Sequence, residues 1–259
     1  MTVASESAIR VESLSVHYGR HLALAPVTAE FARGKVAALV GPSGCGKSSF
    51  LASLNRLTDL IPDCRVSGRV RVGELDVFGP GVDLVRLRRR VGMIFQTPNP
   101  FPLSIRDNVE LGLKEHGVSD RDERSERARR ALEDVGLLSE VASRLRQSAL
   151  RLSGGQQQRL CLARALALEP EILLMDEPCS SLDPIATGKI EELIRGMAGR
   201  LTILVVTHNL AQARRLSDDI AVFWMQNGSG CLLERGATRE VFEHPRHELT
   251  SAYVRGDCC

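Results

Sequence analysis

A glycine-rich segment after a short apolar run constrains the fold of this chain more than any other feature. The run KVAALV has the composition of a buried strand, and the segment GPSGCGKS (Gly41–Ser48) fits the pattern G-x-x-x-x-G-K-[ST]. From about Gly46 to Leu57 the sequence favours a helix. Strand, loop and helix in this order predict a phosphate-binding loop whose backbone N–H groups face phosphate oxygens.

The residue types within this loop predict how a nucleotide would be held. The amine of Lys47 suits the β- and γ-phosphates, and the hydroxyl of Ser48 suits magnesium. An ordinary glycine-rich turn is the alternative, and the strand and helix on either side disfavour it. The residues assigned to nucleotide binding are Gly41, Pro42, Ser43, Gly44, Cys45, Gly46, Lys47, Ser48 and Ser49.

A second apolar run, ILLMDEP (Ile172–Pro178), ends in two carboxylates. The run predicts a buried strand whose end presents Asp176 to magnesium and places Glu177 where it can polarise an attacking water. Taken alone, a strand ending in Asp-Glu is usually a surface edge. The phosphate-binding loop in the same chain favours the metal and base roles.

Apolar runs recur along the chain, and helical patterns follow most of them, which predicts an α/β fold with a mainly parallel core sheet. The stretch from residue 98 to about 160 interrupts this alternation, since it is helical in pattern and rich in Arg and Glu. We expect one domain over residues 1–259, with a helical subdomain inserted at about 98–160 and a β subdomain at its N-terminus.

Composition narrows the function classes. No apolar run approaches the roughly 18 residues that cross a bilayer, so we expect any membrane role to depend on a partner. The net charge of +2 does not indicate a nucleic-acid partner. The N-terminal MTVASESAIR lacks a signal-peptide core, and the seven cysteines form no CxxC pair, so reduced thiols in the cytosol are expected. The adjacent Cys258 and Cys259 have no assigned role.

The segment LSGGQ is unusually bare for a helix start. Two glycines leave free N–H groups exposed, which predicts a second anion site at Ser153, Gly154, Gly155 and Gln156. The chain has one phosphate-binding loop, and one nucleotide needs one such loop. We therefore expect the second site to hold a nucleotide that is bound to another copy of the protein.

In combination, these motifs resemble those of the ATP-binding cassette (ABC) ATPases. LSGGQ lies between the phosphate-binding loop and LLMDEP, and SSLDP (Ser180–Pro184) and VTHN (Val206–Asn209) follow. The resemblance implies an ABC-type P-loop NTPase core with an antiparallel N-terminal β subdomain. It also implies a head-to-tail dimer that encloses two ATP molecules with Mg²⁺.

The same resemblance assigns roles to four further residues. It implies that Tyr18 stacks on adenine, that Gln96 contacts magnesium and the attacking water, and that His208 contacts the γ-phosphate. Asp183 would cross the dimer interface. Each has a plainer alternative, because Tyr18 suits strand packing, Gln96 a strand end, His208 packing or capping, and Asp183 a helix N-cap. The predicted catalytic set is Glu177, His208 and Gln96, and the predicted metal set is Ser48, Gln96 and Asp176.

Three prolines within five residues, in QTPNPFPLSIRDNV (Gln96–Val109), predict an exposed loop with Phe101 as an apolar anchor. In transporters of the ABC family this region receives a short helix of the membrane subunit. A plain hinge into the helical subdomain is the alternative, and the two are compatible.

Longer stretches, including Leu54–Val70 and Arg88–Val109, resemble the ATPase subunits of bacterial inorganic-phosphate importers. This implies a homodimer at the cytoplasmic face of the membrane, bound to two permease subunits and served by an external phosphate-binding protein. An ATPase of another importer, a soluble ABC protein of ribosomes or DNA, and a phosphate-signalling protein are the alternatives. Three features depart from the pattern: Thr97, the insertion-like segment at 227–236, and the ending SAYVRGDCC.

Overall fold

The computed structural model describes residues 7–257, so the terminal Cys258 and Cys259 lie outside the described residues. The strands are β1 (Ser7–Tyr18), β2 (His21–Ala32), β3 (Val36–Val40), β4 (Cys64–Val72), β5 (Leu75–Asp76), β6 (Val91–Ile94), β7 (Ile172–Asp176), β8 (Thr202–Val206), β9 (Asp219–Gln226) and β10 (Ser229–Ala237). The helices are α1 (Lys47–Ser53), α2 (Leu84–Arg90), α3 (Ile105–Glu115), α4 (Arg121–Asp134), α5 (Leu138–Val141), α6 (Gly154–Leu166), α7 (Pro184–Met197), α8 (Leu210–Leu216), α9 (Thr238–Glu243) and α10 (Glu248–Arg255).

All ten strands join in one mixed sheet with the order β5-β4-β1-β2-β10-β9-β3-β8-β7-β6. The N-terminal strands β1, β2, β4 and β5 pair antiparallel, whereas β3, β6, β7, β8 and β9 pair parallel. Strand β10 connects the two parts, because it pairs antiparallel with β9 and meets β2 at Gly230 and Leu24. The mainly parallel core thus continues into an antiparallel N-terminal region.

Strand β3 shows why its sequence is apolar throughout. Val36, Ala38 and Val40 face one hydrophobic cluster, while Ala37 and Leu39 face a second cluster on the other side of the sheet. Because successive side chains of a strand point to opposite faces, a strand covered on both sides has no position for a polar residue. Helices α3, α4, α6, α7 and α8 contribute to the first cluster, and α1 and α2 to the second.

Helices α3 to α6 occupy the chain between the parallel neighbours β6 and β7. Their starts follow from local sequence: Ser104 caps α3, Asp120 caps α4 and Ser153 caps α6, each by accepting a backbone N–H hydrogen bond. The inserted helical subdomain at about 98–160 remains a prediction as a unit. Its last helix, α6, continues to Leu166.

Two local predictions were wrong. The helix expected from about Gly46 to Leu57 ends at Ser53, since Arg56 adopts a left-handed conformation (φ 58°) and a 3₁₀ turn, Leu57–Leu60, follows. The segment at 227–236 is not an extended turn. Asn227 and Gly228 form a tight turn with positive φ at both residues, which is the geometry of a two-residue hairpin, and β10 follows at once.

Within residues 7–257, no helix has both the length and the apolar composition needed to cross a bilayer. The five cysteines in this range are all free thiols. They are Cys45, Cys64, Cys161, Cys179 and Cys231.

Candidate functional site

The carboxyl ends of four parallel strands bring the predicted site residues to one edge of the sheet. Strand β3 leads into the loop that starts at Gly41, β7 ends at Asp176, β8 is followed by His208, and Gln96 stands two residues after β6. Loops at this edge are the usual ligand sites of open α/β sheets. Residues up to 167 positions apart in the sequence are thereby collected in one place.

Lys47 lies in the centre of the phosphate-binding loop. Its side chain is buried, with 6% of the residue exposed, and Nζ donates to the carbonyl oxygens of Gly41 and Pro42, each at 2.8 Å. Nζ also lies 3.6 Å from Sγ of Cys45. The loop therefore concentrates a positive charge where phosphate oxygens would compete for the same amine.

The remaining residues of the phosphate-binding loop differ in their exposure to solvent, and Tyr18 contacts one of them. Ser43 and Gly44 are exposed, whereas Cys45 is buried, and burial raises the pKa of its thiol. Tyr18, at the end of β1, reaches the start of α1, where its hydroxyl lies 3.0 Å from Oγ of Ser49. The tyrosine ring thus stands beside the loop, and its stacking on adenine remains a prediction.

The two predicted metal ligands on opposite motifs touch each other. Oγ of Ser48 donates to Oδ1 of Asp176 at 3.0 Å. Burial raises the pKa of the Asp176 carboxyl above its usual range; the hydrogen bond from Ser48 opposes this rise, and the charge of Glu177 adds to it. Burial of this kind makes a nearby cation favourable for the carboxylate.

Glu177 is the meeting point of the predicted catalytic residues. Nε2 of Gln96 donates to Oε2 of Glu177 at 3.3 Å, and Nδ1 of His208 lies 3.1 Å from the same oxygen. The backbone of Glu177 has φ 45°, a left-handed conformation that is uncommon for a residue with a side chain. The backbone N–H of Glu177 bonds the carbonyl of Val206 at 3.0 Å, which holds this conformation against β8.

The predicted second anion site stands at the start of α6. Ser153 and Gln156 form a reciprocal capping box, and of the two glycines between them Gly155 lies against Ala186 of α7. A Cβ atom at position 155 would lie 2.7 Å from Cβ of Ala186, whereas one at position 154 would be 3.9 Å from its nearest neighbour. Packing therefore requires only the second glycine.

A cavity of about 380 Å³ opens over this helix start. Its lining includes Ser153, Gly154, Gly155 and Gln156 together with Asp183, but no residue of the Gly41–Ser49 loop. The side chain of Asp183 caps α7 by accepting from the N–H groups of Ile185 and Ala186, each at 2.9 Å. Asp183 is thus the N-cap of α7, as the plainer alternative predicts. Its role across a dimer interface remains a prediction.

Comparison with known proteins identifies the family. A model of the ABC transporter family matches residues 24–180, more than half of the chain. This chain belongs to the ABC transporter family. Members of that family bind ATP, so the nucleotide expected at Lys47 is ATP.

Two known proteins give the extent of the likeness. The cassette is similar to "Phosphate import ATP-binding protein PstB 1" of Nitrosococcus oceani, at 58% identity over 248 residues, which span 96% of this chain and 90% of that protein. It is also similar to the solved structure of cbiO1 from Clostridium perfringens, described as part of the ABC transporter complex cbiONQ. That match has a TM-score of 0.77, 29% identity and 92% coverage of both chains. The predicted fold class is confirmed.

Helix α6 holds the proline-rich loop, Gln96–Val109, in place. The guanidinium of Arg164 donates to the carbonyl and Oδ1 of Asn99 at 3.0 and 2.7 Å and stacks over the ring of Phe101 at 4.5 Å. Phe101 remains 42% exposed. Fully buried Asn108 bonds the backbone N–H and C=O of Phe101. Arg164 and Asn108 therefore fix the conformation of the loop, and the ring of Phe101 remains accessible on its surface.

Several residues that support the candidate site, but lie far from it in the sequence, were not predicted. Gly230 of β10 lies so close to the loop that an added Cβ would be 2.2 Å from the carbonyl oxygen of Cys45. A glycine within a strand is a known sign of close backbone approach, but the sequence patterns predict no strand in this segment. Glu140 and Tyr253 were also missed, because their contacts join distant parts of the chain.

Proposed function

We propose that this chain is the ATP-hydrolysing subunit of an importer of inorganic phosphate. The observation that carries the proposal is 58% identity, over 96% of the chain, to a protein named as a phosphate import ATP-binding protein. Identity of this extent includes the regions outside the general cassette motifs. The cargo does not need to contact the nucleotide site, so the geometry of that site supports ATP hydrolysis, and the likeness supports phosphate.

Residues of the loop bind the triphosphate. The amine of Lys47 exchanges its two carbonyl partners for β- and γ-phosphate oxygens, and the loop's exposed N–H groups add further donors. Tyr18 stacks on adenine from beside Ser49. The residues Gly41, Pro42, Ser43, Gly44, Cys45, Gly46, Lys47, Ser48 and Ser49 form this half-site.

The oxygens of Ser48 and Asp176 fit Mg²⁺. They are hard donors 3.0 Å apart, and Asp176 is desolvated, so a cation would relieve an unfavourable burial. Phosphate oxygens, water and Gln96 would complete the coordination of a cation held by Ser48 and Asp176. Bound there, Mg²⁺ neutralises charge on the β- and γ-phosphates.

Glu177 acts as the general base. Its carboxylate accepts a proton from the attacking water, and Gln96 and His208 hold the accepting oxygen in place from two sides. Hydrolysis then depends on positioning and charge neutralisation, with no covalent intermediate on the protein.

The second half-site, at Ser153, Gly154, Gly155 and Gln156, grips the γ-phosphate of a nucleotide bound to a second copy. Two copies thus enclose two ATP molecules in a head-to-tail dimer. Binding of ATP closes the dimer and hydrolysis opens it. The chain works at the cytoplasmic face of the membrane, where the loop around Phe101 receives a permease subunit and an external protein delivers phosphate.

Uptake in cells tests the cargo. In cells that lack the native gene, a plasmid copy should restore uptake of ³²P-labelled phosphate at low external concentration, and a Lys47→Ala copy should not. Uptake of a labelled amino acid should be equal in both strains.

Two polytopic permease subunits should copurify from membranes with the Glu177→Gln variant. Normal phosphate uptake without the protein, or copurification of ribosomes or DNA in place of permeases, would contradict phosphate import.

A further inference from the structure

The last helix of the chain contacts the first glycine of the phosphate-binding loop. The backbone N–H of Gly41 donates to the hydroxyl of Tyr253, on α10, at 3.1 Å. These residues are 212 positions apart in the sequence.

Gly41 is fixed on three sides. Its N–H bonds Tyr253, its carbonyl oxygen accepts from Nζ of Lys47 at 2.8 Å, and its Cα faces β9 so closely that an added Cβ would lie 2.0 Å from the carbonyl oxygen of Phe223. Its φ of 140° is a conformation that favours glycine. The orientation of this residue therefore sets where the loop begins and where the amine of Lys47 is held.

Helix α10 is itself held firmly enough to serve as a support. Glu234 of β10, 9% exposed, accepts from the N–H groups of Arg246 and His247 at 2.9 and 3.1 Å, just before the helix. Nδ1 of His247 then caps the helix by accepting from Leu249 at 3.1 Å. The ring of Tyr253 packs edge-on against Trp224 of β9, with 5.6 Å between centroids. Packing and capping together aim the hydroxyl at Gly41.

We propose that Tyr253 is a positioning residue for nucleotide binding, and that α10 is a brace for the phosphate-binding loop. The inference rests on the proposed nucleotide site. Tyr253 touches no phosphate; it acts through Gly41 and thereby through Lys47. A loop ordered before binding loses less conformational entropy on binding, so removal of the hydroxyl should weaken ATP affinity more than it slows hydrolysis.

Tyr253→Phe is the sharpest test, because it removes the hydroxyl and keeps the ring against Trp224. We expect the dissociation constant for MgATP, measured by calorimetry, and the KM for ATP to rise about threefold to tenfold, the effect of one lost hydrogen bond. The kcat should change less than about twofold. Ser251→Ala, which removes a hydroxyl from the same helix, should behave as the unmodified protein.

Hydrogen exchange measures the contact directly. In the nucleotide-free protein, amide exchange of a peptide that covers Gly41 should be faster in Tyr253→Phe than in Ser251→Ala. Unchanged affinity in Tyr253→Phe, or equal changes in both variants, would overturn the proposal. If the unmodified protein binds no ATP, the proposed function fails as well. If it binds ATP and Tyr253→Phe binds equally well, only this inference fails.

Discussion

Glu177 shows how a single residue can combine strain with chemistry. Its left-handed backbone is costly, by about 1–3 kcal/mol for a residue of this kind, and persists because β8 holds its N–H. In return, its carboxylate lies where Gln96 and His208 both reach one oxygen. The backbone conformation that a helix or strand would not allow is thus what directs the carboxylate into the site.

Glu177→Gln should separate binding from turnover. The amide keeps the size of the side chain but cannot accept a proton, so we expect ATP hydrolysis to fall at least about 100-fold while ATP binding is kept. Phosphate release and nucleotide binding measure the two effects. The variant should also elute as a dimer with ATP, since the closed state does not hydrolyse its nucleotide. Glu192→Gln, at an exposed position on α7, is the control. Hydrolysis at the normal rate would exclude Glu177 as the base.

At the scale of elements, the start of α6 is defined by its packing on α7. Gly155 allows α6 and α7 to approach each other. The carboxylate of Glu140, on α5, accepts hydrogen bonds from both helices. The Glu140 carboxylate accepts from Nε2 of Gln156 at 2.9 Å, from Nη2 of Arg159 at 2.9 and 3.0 Å and from Nζ of Lys189 at 3.1 Å. A motif predicted to grip phosphate is therefore oriented by contacts that involve no ligand.

The two glycines of this motif should respond differently to alanine. Gly155→Ala forces its Cβ against Ala186, which we expect to lower the free energy of unfolding by about 1–3 kcal/mol and to reduce ATPase activity. Gly154→Ala has room and should leave stability unchanged or slightly raised. Urea unfolding measures both. The double variant Gly155→Ala/Ala186→Gly should regain stability; its failure to do so would contradict the steric explanation.

Glu140 should contribute stability that depends on pH. Burial alone would raise the pKa of Glu140, but hydrogen bonds from Gln156, Lys189 and Arg159 outweigh it and lower the pKa from its ordinary value of 4.5 to about 2. A lowered folded-state pKa means that the contribution is complete above about pH 4.5 and is lost as the pH falls towards 2. Glu140→Gln should cost about 1–3 kcal/mol at pH 7, in part because Arg159 is buried.

Urea unfolding at several pH values checks this expectation. The difference in stability between the unmodified protein and Glu140→Gln should shrink as the pH is lowered from 5 towards the acid range. Glu123→Gln, at an exposed position on α4, provides a matched control. A difference that stays constant with pH would show that the charge of Glu140 is not what stabilises the helix start.

At the scale of the whole molecule, the chain carries two sites that do not meet. Within residues 7–257, no hydrogen bond or ion pair joins the start of α6 to the Gly41–Ser49 loop, and the cavity over α6 is lined by none of the loop's residues. This separation supports the proposal that a nucleotide at Lys47 is enclosed by Ser153 of a second copy, in a head-to-tail pair.

Mixing two inactive variants tests this arrangement. Lys47→Ala removes the first half-site and Ser153→Arg the second, so each variant alone should be inactive. A mixed dimer has one intact site, built from the loop of one chain and the α6 start of the other. An equimolar mixture should therefore regain about a quarter of the normal ATPase rate, if chains pair at random. No recovery in the mixture, with both variants folded, would mean that the two sites do not combine between chains.

Most of the predictions about the nucleotide site rested on short-range sequence motifs. The strand before Gly41, the loop chemistry of Lys47 and Ser48 and the strand that ends at Asp176 are all short-range patterns. They depend on periodicity, glycine content and charge within about ten residues. The α/β fold class followed from the same patterns and the ABC-type core from the family resemblance, and both are confirmed. The error at β10 arose because a glycine-containing strand has weak local propensity, and its pairing with β9 decides its structure.

Residue types and their spacing were enough to predict which side chains suit phosphate and metal, because those chemistries need particular side chains at particular spacing. The residues that support these side chains could be identified only in the folded chain. Tyr253 on Gly41, Gly230 under Cys45, Gly155 on Ala186 and Glu140 on α6 are contacts between segments far apart in the chain. Such contacts leave no periodic signal in the sequence, since each depends on how the sheet and its helices pack in three dimensions.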